Sequence, residues 1–176
     1  MSYTLQESYE TGINNSAGAY GENVLGGQTF EPTNAHTVTK VGFKGWETGS
    51  PTGEAYFDLY NCDQTTHLPT GARLARASYE TSAVGGIDSV PVWVEVDLDT
   101  PTALTQDTEY ALIIYAPNNN VDNRVMYKSD TPTPTYTRGV LLFTNTGFAN
   151  LAVYSTYDYQ FREYSGEAFT PKVFIL

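Results

Sequence analysis

The sequence predicts an all-β protein that folds as a single antiparallel β-sandwich. Apolar and polar side chains alternate with a period of two in several short segments, most clearly in residues 53–60 and 90–98. Gly, Pro and Asn stand between these segments, as expected for turns that connect short strands. No segment carries the sustained 3.6-residue apolar repeat of a helix, and a chain of 176 residues suits one sandwich domain.

Nine strands are predicted, and turn signals separate most of them. In chain order the predicted strands are 28–30, 37–46, 54–61, 73–79, 91–98, 109–116, 124–128, 140–144 and 153–164. The turn signals, which combine Gly, Pro, Asn and Thr, are 49–53, 67–71, 85–86, 117–120, 131–134 and 145–147. The segment 110–115 is apolar at successive positions, which is typical of a central strand buried on both faces.

The chain divides into an arm, a body and a tail. Residues 1–27 are rich in glycine and are predicted to form a loop-rich N-terminal arm or a weak first strand. Residues 28–168 form the predicted sandwich domain. Residues 169–176 are a mostly apolar C-terminal tail, which we expect to dock on its own sandwich or on another chain through Val173, Phe174, Ile175 and Leu176.

The charge of the chain excludes some partners. Nine Lys and Arg stand against twenty Asp and Glu, which gives a formal net charge of −11. Such a surface repels phosphate groups, so neither nucleic acid nor an anionic membrane is an expected partner. The N-terminal residues lack the basic start and apolar core of a secretory signal, and no stretch has the length of a membrane span. We therefore expect a protein made without a signal peptide.

Alternation assigns the strand side chains to two faces. The side chains predicted to face the core are Val41, Phe43, Ala55, Phe57, Leu59, Val92, Val94, Val96 and Leu98. The side chains predicted to face outward are Lys40, Lys44, Trp46, Tyr56, Asp58, Tyr60, Trp93, Glu95 and Asp97. The outward set combines aromatic rings with carboxylates, which suits a protein interface or a platform for sugar rings. The third alternative is that Trp46 and Trp93 cap the core at the ends of their strands.

The candidates for ligand binding or for an interface are Trp46, Tyr56, Tyr60, Trp93, Glu95 and Asp97. Glu95 and Asp97 lie about 7 Å apart along one strand face, a separation not far from that of the carboxylate pair of a glycosidase. A catalytic acid needs surroundings that keep it protonated, and the sequence shows none around these two outward carboxylates, so a solvated face is the favoured interpretation. No catalytic residue, metal site or cofactor is predicted. The loop 118–123 is rich in oxygen ligands that suit calcium, but the preference of Asn for turns explains it without a metal.

Several turn and core segments carry a resemblance to a known family. These segments are 28–32 (QTFEP), 36–43 (HTVTKVGF), 49–53 (GSPTG), 68–71 (LPTG), 93–96 (WVEV) and 104–112 (LTQDTEYAL). In this order they resemble the jelly-roll β-sandwich module of bacteriophage structural proteins and large microbial surface proteins. The resemblance covers residues 28–164 and implies a jelly-roll-like fold. Because such modules are similar in architecture to carbohydrate-binding modules, the resemblance also implies sugar binding as an option.

These observations predict a non-enzymatic protein. The leading expectation is a structural or decoration subunit of a viral, phage-like particle or of a similar extracellular assembly. Its partners would be protein subunits of the same assembly, whether capsid, tail or further copies of itself. The alternative is a carbohydrate-binding module with an aromatic sugar platform that binds surface glycans.

Overall fold

The computed structural model describes residues 2–12, 15–86 and 90–166. The apolar tail at Val173, Phe174, Ile175 and Leu176 lies outside the described residues. The strands are β1 (Tyr3–Tyr9), β2 (Asn15–Ala19), β3 (Leu25–Phe30), β4 (His36–Thr48), β5 (Glu54–Cys62), β6 (Pro69–Glu80), β7 (Val92–Leu104), β8 (Tyr110–Tyr115), β9 (Arg124–Asp130), β10 (Leu141–Thr144), β11 (Ala152–Tyr154), β12 (Asp158–Tyr159) and β13 (Phe161–Gly166). Two 3₁₀ turns, Thr81–Ala83 and Phe148–Asn150, are the helical elements of the described part of the chain.

The strands form two antiparallel sheets that pack face to face, as the sequence predicts. In the first sheet, β4 pairs with β7 along one edge and with β13 and then β9 along the other. β1 extends this sheet beyond β13, and β2 and β12 pair with β9. The second sheet has the strand order β11-β10-β3-β8-β5-β6.

Eight of these strands have the connectivity of a jelly roll. Counted along the chain, β1, β3, β4, β5, β6, β7, β8 and β13 are its first to eighth strands. The first sheet holds them in the order one-eight-three-six and the second in the order two-seven-four-five. This is the double Greek-key order of a jelly-roll sandwich, so the predicted fold class is confirmed.

The predicted alternation places the core correctly. Phe43 of β4 and Phe57 of β5 are fully buried between the sheets, with ring centres 5.3 Å apart. Burial of such a side chain contributes about 1.5–3 kcal/mol to stability. β8 is buried on both faces, as predicted for residues 110–115, because Leu112 and Ile114 face the core between the sheets. Ile113 faces a second, smaller cluster on the outer side of the second sheet.

A polar link crosses the core between the two sheets. The Nε2 atom of Gln28 on β3 donates to Asp158 Oδ1 at 2.8 Å, and Gln28 Oε1 accepts from the backbone N–H of Tyr159 at 2.7 Å. Both side chains are almost completely inaccessible to solvent. Burial is the main cause that raises the pKa of Asp158, to about 7, and the neighbouring carboxylate of Asp130 acts in the same direction.

Two predictions about the strands need correction. For residues 1–27 the sequence left open a loop-rich arm or a weak first strand, and the described residues 2–12 and 15–27 hold strands: β1 pairs along its length with β13, β2 pairs with β9, and β3 begins at Leu25. The single strand predicted at 153–164 is three short strands, β11, β12 and β13. The chain turns between β11 and β12, where the backbone N–H of Tyr157 donates to the carbonyl of Tyr154.

Candidate functional site

The residues predicted to form one outward platform lie on opposite faces of the sandwich. Trp93, Glu95 and Asp97 are on β7, which pairs with β4 in the first sheet. Tyr56 and Tyr60 are on β5, which pairs with β6 and β8 in the second sheet. The two groups point away from the core in opposite directions, so the expected common platform does not form.

The outer face of the first sheet is a network of paired charges. Glu95 Oε1 accepts from Arg162 Nη1 at 2.8 Å and from the Tyr164 hydroxyl at 2.5 Å. Arg162 also pairs with Glu10 at 2.7 Å, and its guanidinium carbon lies 3.9 Å from the ring centre of Trp93. The hydrogen bond to Glu10 is the largest of the causes that raise the pKa of Arg162. Glu95 and Trp93 are therefore already engaged by neighbouring side chains.

Asp97 is engaged in the same way. Its Oδ1 accepts from the Tyr3 hydroxyl at 2.8 Å and lies 3.6 Å from Lys40 Nζ. The Lys40 ammonium in turn lies 3.8 Å from the ring centre of Tyr3. These contacts join β1, β4 and β7 across one face, which is a stabilising arrangement. They hold Asp97 Oδ1 in a surface cluster, while the side chain as a whole stays 64% exposed to solvent.

Trp46 is too deeply buried to act as an exposed platform. It is 4% exposed, and Lys128 Nζ lies 4.5 Å above its ring. Gly86 packs directly against it, since a Cβ on residue 86 would lie 3.1 Å from Trp46 Cβ. The preceding residue, Gly45, pairs with the buried Tyr127. Trp46 therefore points to the outer side of the first sheet, where Lys128 and Gly86 cover it.

The second sheet carries an open cleft of about 460 Å³ on its outer face. Its lining residues come from β3, β5, β6 and β8, from the turn before β3, from the segment after β8, and from the 3₁₀ turn Phe148–Asn150. The residues that line this cleft, called here the second-sheet cleft, are Glu22, Leu25, Tyr56, Asp58, Tyr60, Arg76, Ile113, Tyr115, Pro117 and Phe148.

A bidentate ion pair forms the polar centre of the second-sheet cleft. Asp58 accepts from Arg76 Nε and Nη2, each at 2.6 Å, and its side chain is 3% exposed. Arg73 Nη1 lies 3.7 Å from the same carboxylate, and Arg76 also donates to the Tyr115 hydroxyl. The hydrogen bonds to Asp58 are the largest of the causes that raise the pKa of Arg76. The pair fixes the guanidinium group in one orientation at the polar centre of the cleft.

Aromatic rings lie on both sides of this ion pair. The rings of Tyr56 and Tyr115 have centres 5.0 Å apart, and the Arg76 guanidinium carbon lies 4.2 Å from the Tyr56 ring centre. The ring centres of Tyr60 and Phe148 lie 5.3 Å apart. Burial raises the pKa of both Tyr60 and Tyr115, so their hydroxyls stay protonated at neutral pH and are able to donate hydrogen bonds.

The sequence pointed to part of this cleft. Tyr56, Asp58 and Tyr60 were predicted to share one outward face, and they do. The outward direction of Arg76 was predictable from the sequence. It alternates with Ala75 and Ala77, which are buried, so its side chain lies on the outer face of β6. Phe148 and Glu22 come from connecting segments, and no sequence pattern shows that those segments cover the second sheet.

Both histidines pair with buried carboxylates, and the cysteine is a partly buried free thiol. His36 Nε2 lies 2.8 Å from the buried Glu163, and His67 Nδ1 lies 2.9 Å from the buried Glu109. Burial, followed by the charges of Glu109 and Asp63, raises the pKa of the Cys62 thiol to about 12. The reactive thiolate is therefore scarce at neutral pH.

The loop 118–123 uses its amide oxygens in backbone hydrogen bonds. Asn120 Oδ1 accepts from the N–H groups of Asp122 and Asn123, each at 3.0 Å. Asn119 Oδ1 accepts from the backbone of Thr52 at 2.9 Å. Turn formation accounts for this loop. Among the described residues, no group of three or more His, Cys, Asp or Glu side chains is placed to hold a metal ion.

The described residues form an all-β jelly roll. The outer face of its second sheet carries the second-sheet cleft, in which aromatic rings surround an ion pair. No helix in the described part of the chain has the length and apolar character needed to cross a membrane. Comparison with protein-family models and with curated proteins gives no match for this chain. The resemblance to jelly-roll modules of phage and microbial surface proteins stays a prediction.

Proposed function

We propose that this protein is a non-enzymatic carbohydrate-binding module and that the second-sheet cleft is its binding site. The observation that carries the proposal is the placement of aromatic rings on both sides of the Asp58–Arg76 pair. Aromatic faces pack against the C–H faces of sugar rings, while fixed polar groups hydrogen-bond to hydroxyls. An open cleft with apolar walls and a few oriented polar groups is typical of a small-molecule site.

The contacts of Asp58 and Arg76 favour binding over catalysis. A glycosidase needs two carboxyl groups, one of which acts as a proton donor. Both oxygens of Asp58 accept from Arg76, so this carboxylate is tied up in the ion pair rather than directed at a ligand. The same pair is held in place before a ligand arrives, and little side-chain entropy is lost on binding.

Substitution in the second-sheet cleft tests this proposal. We expect the wild-type chain to bind members of a glycan array, and Tyr60→Ala to weaken that binding by at least about tenfold, or 1.4 kcal/mol. Trp93→Ala, on the outer face of the other sheet, is the control and leaves binding unchanged. Equal losses in both variants, or no glycan binding by the wild-type chain, would contradict the proposal.

The second candidate function is a structural or decoration subunit of a viral or similar extracellular assembly, acting through contacts with other subunits. One observation favours it. β11 ends the second sheet, all three of its residues are exposed, and none of them is charged. Charge or proline on an edge strand hinders pairing with another chain, and β11 has neither, so its short length of three residues is its one protection among these devices. Val153 and Tyr154 on this edge suit addition of a strand from a second copy of the chain.

The assembly function predicts concentration-dependent association. Light scattering after size exclusion is expected to show oligomers of the wild-type chain, and Val153→Lys to yield monomers with unchanged thermal stability. Val121→Lys, at an exposed position in a loop remote from β11, is the matched control. A wild-type chain that stays monomeric at every concentration rules out self-association through β11.

A further inference from the structure

We infer that the second-sheet cleft takes a neutral oligosaccharide of at least two sugar rings that extends along β5, an inference that rests on the proposed function. Tyr56, Asp58 and Tyr60 alternate along β5 and share its outer face. At the rise of a strand, Tyr56 and Tyr60 are separated by about 13 Å. Asp58 and its partner Arg76 lie between them.

Each of the two tyrosines has its own aromatic partner. Tyr56 packs beside Tyr115 and Tyr60 beside Phe148, at 5.0 Å and 5.3 Å between ring centres. The Arg76 guanidinium carbon also lies 4.2 Å from the Tyr56 ring centre, so this subsite offers a sugar the part of the half-buried Tyr56 ring that Arg76 and Tyr115 leave open. The cleft therefore contains two aromatic subsites with a polar segment between them. A single sugar ring is about as large as an aromatic side chain, so it contacts only one subsite. A chain of sugars reaches both and places hydroxyls over the ion pair.

The charges around the cleft favour a neutral ligand. Arg76 and Arg73 both face the buried carboxylate of Asp58, which neutralises much of their charge. Glu22 lines the cleft, and Glu54 accepts a hydrogen bond from the Tyr56 hydroxyl at 3.0 Å. The rim is thus acidic, on a chain with a net charge of −11. A polyanionic glycan meets repulsion both at the rim and from the whole protein.

Calorimetric titration of the full chain tests this inference. The probes are neutral gluco-, manno- and galacto-oligosaccharides of one to six rings, beside uronate oligosaccharides of the same lengths. We expect the affinity for one neutral series to rise at least tenfold between one ring and three. Tyr56→Ala and Tyr60→Ala should each abolish this gain. Tyr154→Ala, at an exposed tyrosine outside the cleft, should retain it.

The outcomes separate this inference from the function on which it rests. Equal affinity for one ring and for six overturns the two-subsite arrangement but keeps carbohydrate binding. Tighter binding of uronate chains than of neutral ones overturns the choice of a neutral ligand in the same way. If only one of the two tyrosine variants loses the rise in affinity between one ring and three, the cleft does not contain a second aromatic subsite. Absence of binding to every glycan overturns the proposed function and this inference together.

Discussion

Replacing Trp46 by alanine is expected to lower the free energy of unfolding by about 3 kcal/mol, at the lower end of the cost of deleting a buried aromatic side chain. Trp46 is 4% exposed and is covered by Lys128 and Gly86. The flexible Lys128 side chain is able to fill part of the space, which keeps the cost at the lower end. Urea unfolding followed by tryptophan fluorescence and circular dichroism measures the change.

Trp93→Ala is the matched control for this prediction. Trp93 is only half-buried, and its ring packs against the Arg162 guanidinium at 3.9 Å. Loss of that contact is expected to cost less than about 1 kcal/mol. Equal destabilisation by the two substitutions would contradict the assignment of Trp46 as a buried structural residue and Trp93 as a surface one.

The second large effect is expected at Asp158 and depends on pH. The pKa of this carboxyl group is raised in the folded protein from 3.8 to about 7, chiefly by burial. Because the folded state binds the proton more tightly than the unfolded state, stability falls as the pH rises from about 4 to about 7. The folded protein above pH 7 therefore contains a buried, ionised carboxylate whose Oδ2 lacks a hydrogen-bond partner among the described residues.

Asp158→Asn removes this titration and keeps an Oδ1 acceptor for Gln28. Relative to the wild type, the free energy of unfolding of the variant is expected to increase by about 2–3 kcal/mol between pH 5 and pH 8. Urea unfolding of both proteins at the two pH values measures this difference. Asp122→Asn, at an exposed aspartate, should show no such dependence. A constant difference between Asp158→Asn and wild type at both pH values would contradict the raised pKa.

Local alternation predicted the fold better than it predicted the site. The pattern around Phe57 and Val94 identified which face of each strand is buried, because the period of two is a property of the strand itself. The pairing of strands is a long-range property. Consecutive strands β6 and β7 lie in different sheets of a jelly roll, so Tyr60 and Trp93 face opposite sides although their local patterns are alike.

The N-terminal strands, for which the sequence left a loop-rich arm or a weak first strand open, also depend on distant partners. β1 pairs with β13, whose residues follow it by more than 150 positions, as in the pair Tyr9 and Phe161. In the sequence alone, the five glycines from residue 12 to residue 27 favoured the interpretation of this segment as a loop. Gly26 is required for a different reason, since a Cβ there would lie 2.6 Å from the Tyr159 hydroxyl in the core. A glycine needed for close packing and one needed for a turn look the same in sequence.

The position of β13 in the first sheet sets the order in which the chain folds during synthesis. β13 lies between β1 and β4, so β1 has no partner, and residues 38–43 of β4 have none on that edge, until the ribosome has made the last described part of the chain. At about 5–20 residues per second, the interval between Tyr9 and Phe161 lasts about 8–30 s, and that between Phe43 and Phe161 lasts about 6–24 s. For these times β1 and that part of the β4 edge are open to pairing with other nascent chains. A trapping chaperone that shields these edges is expected to raise the soluble yield more than faster translation would.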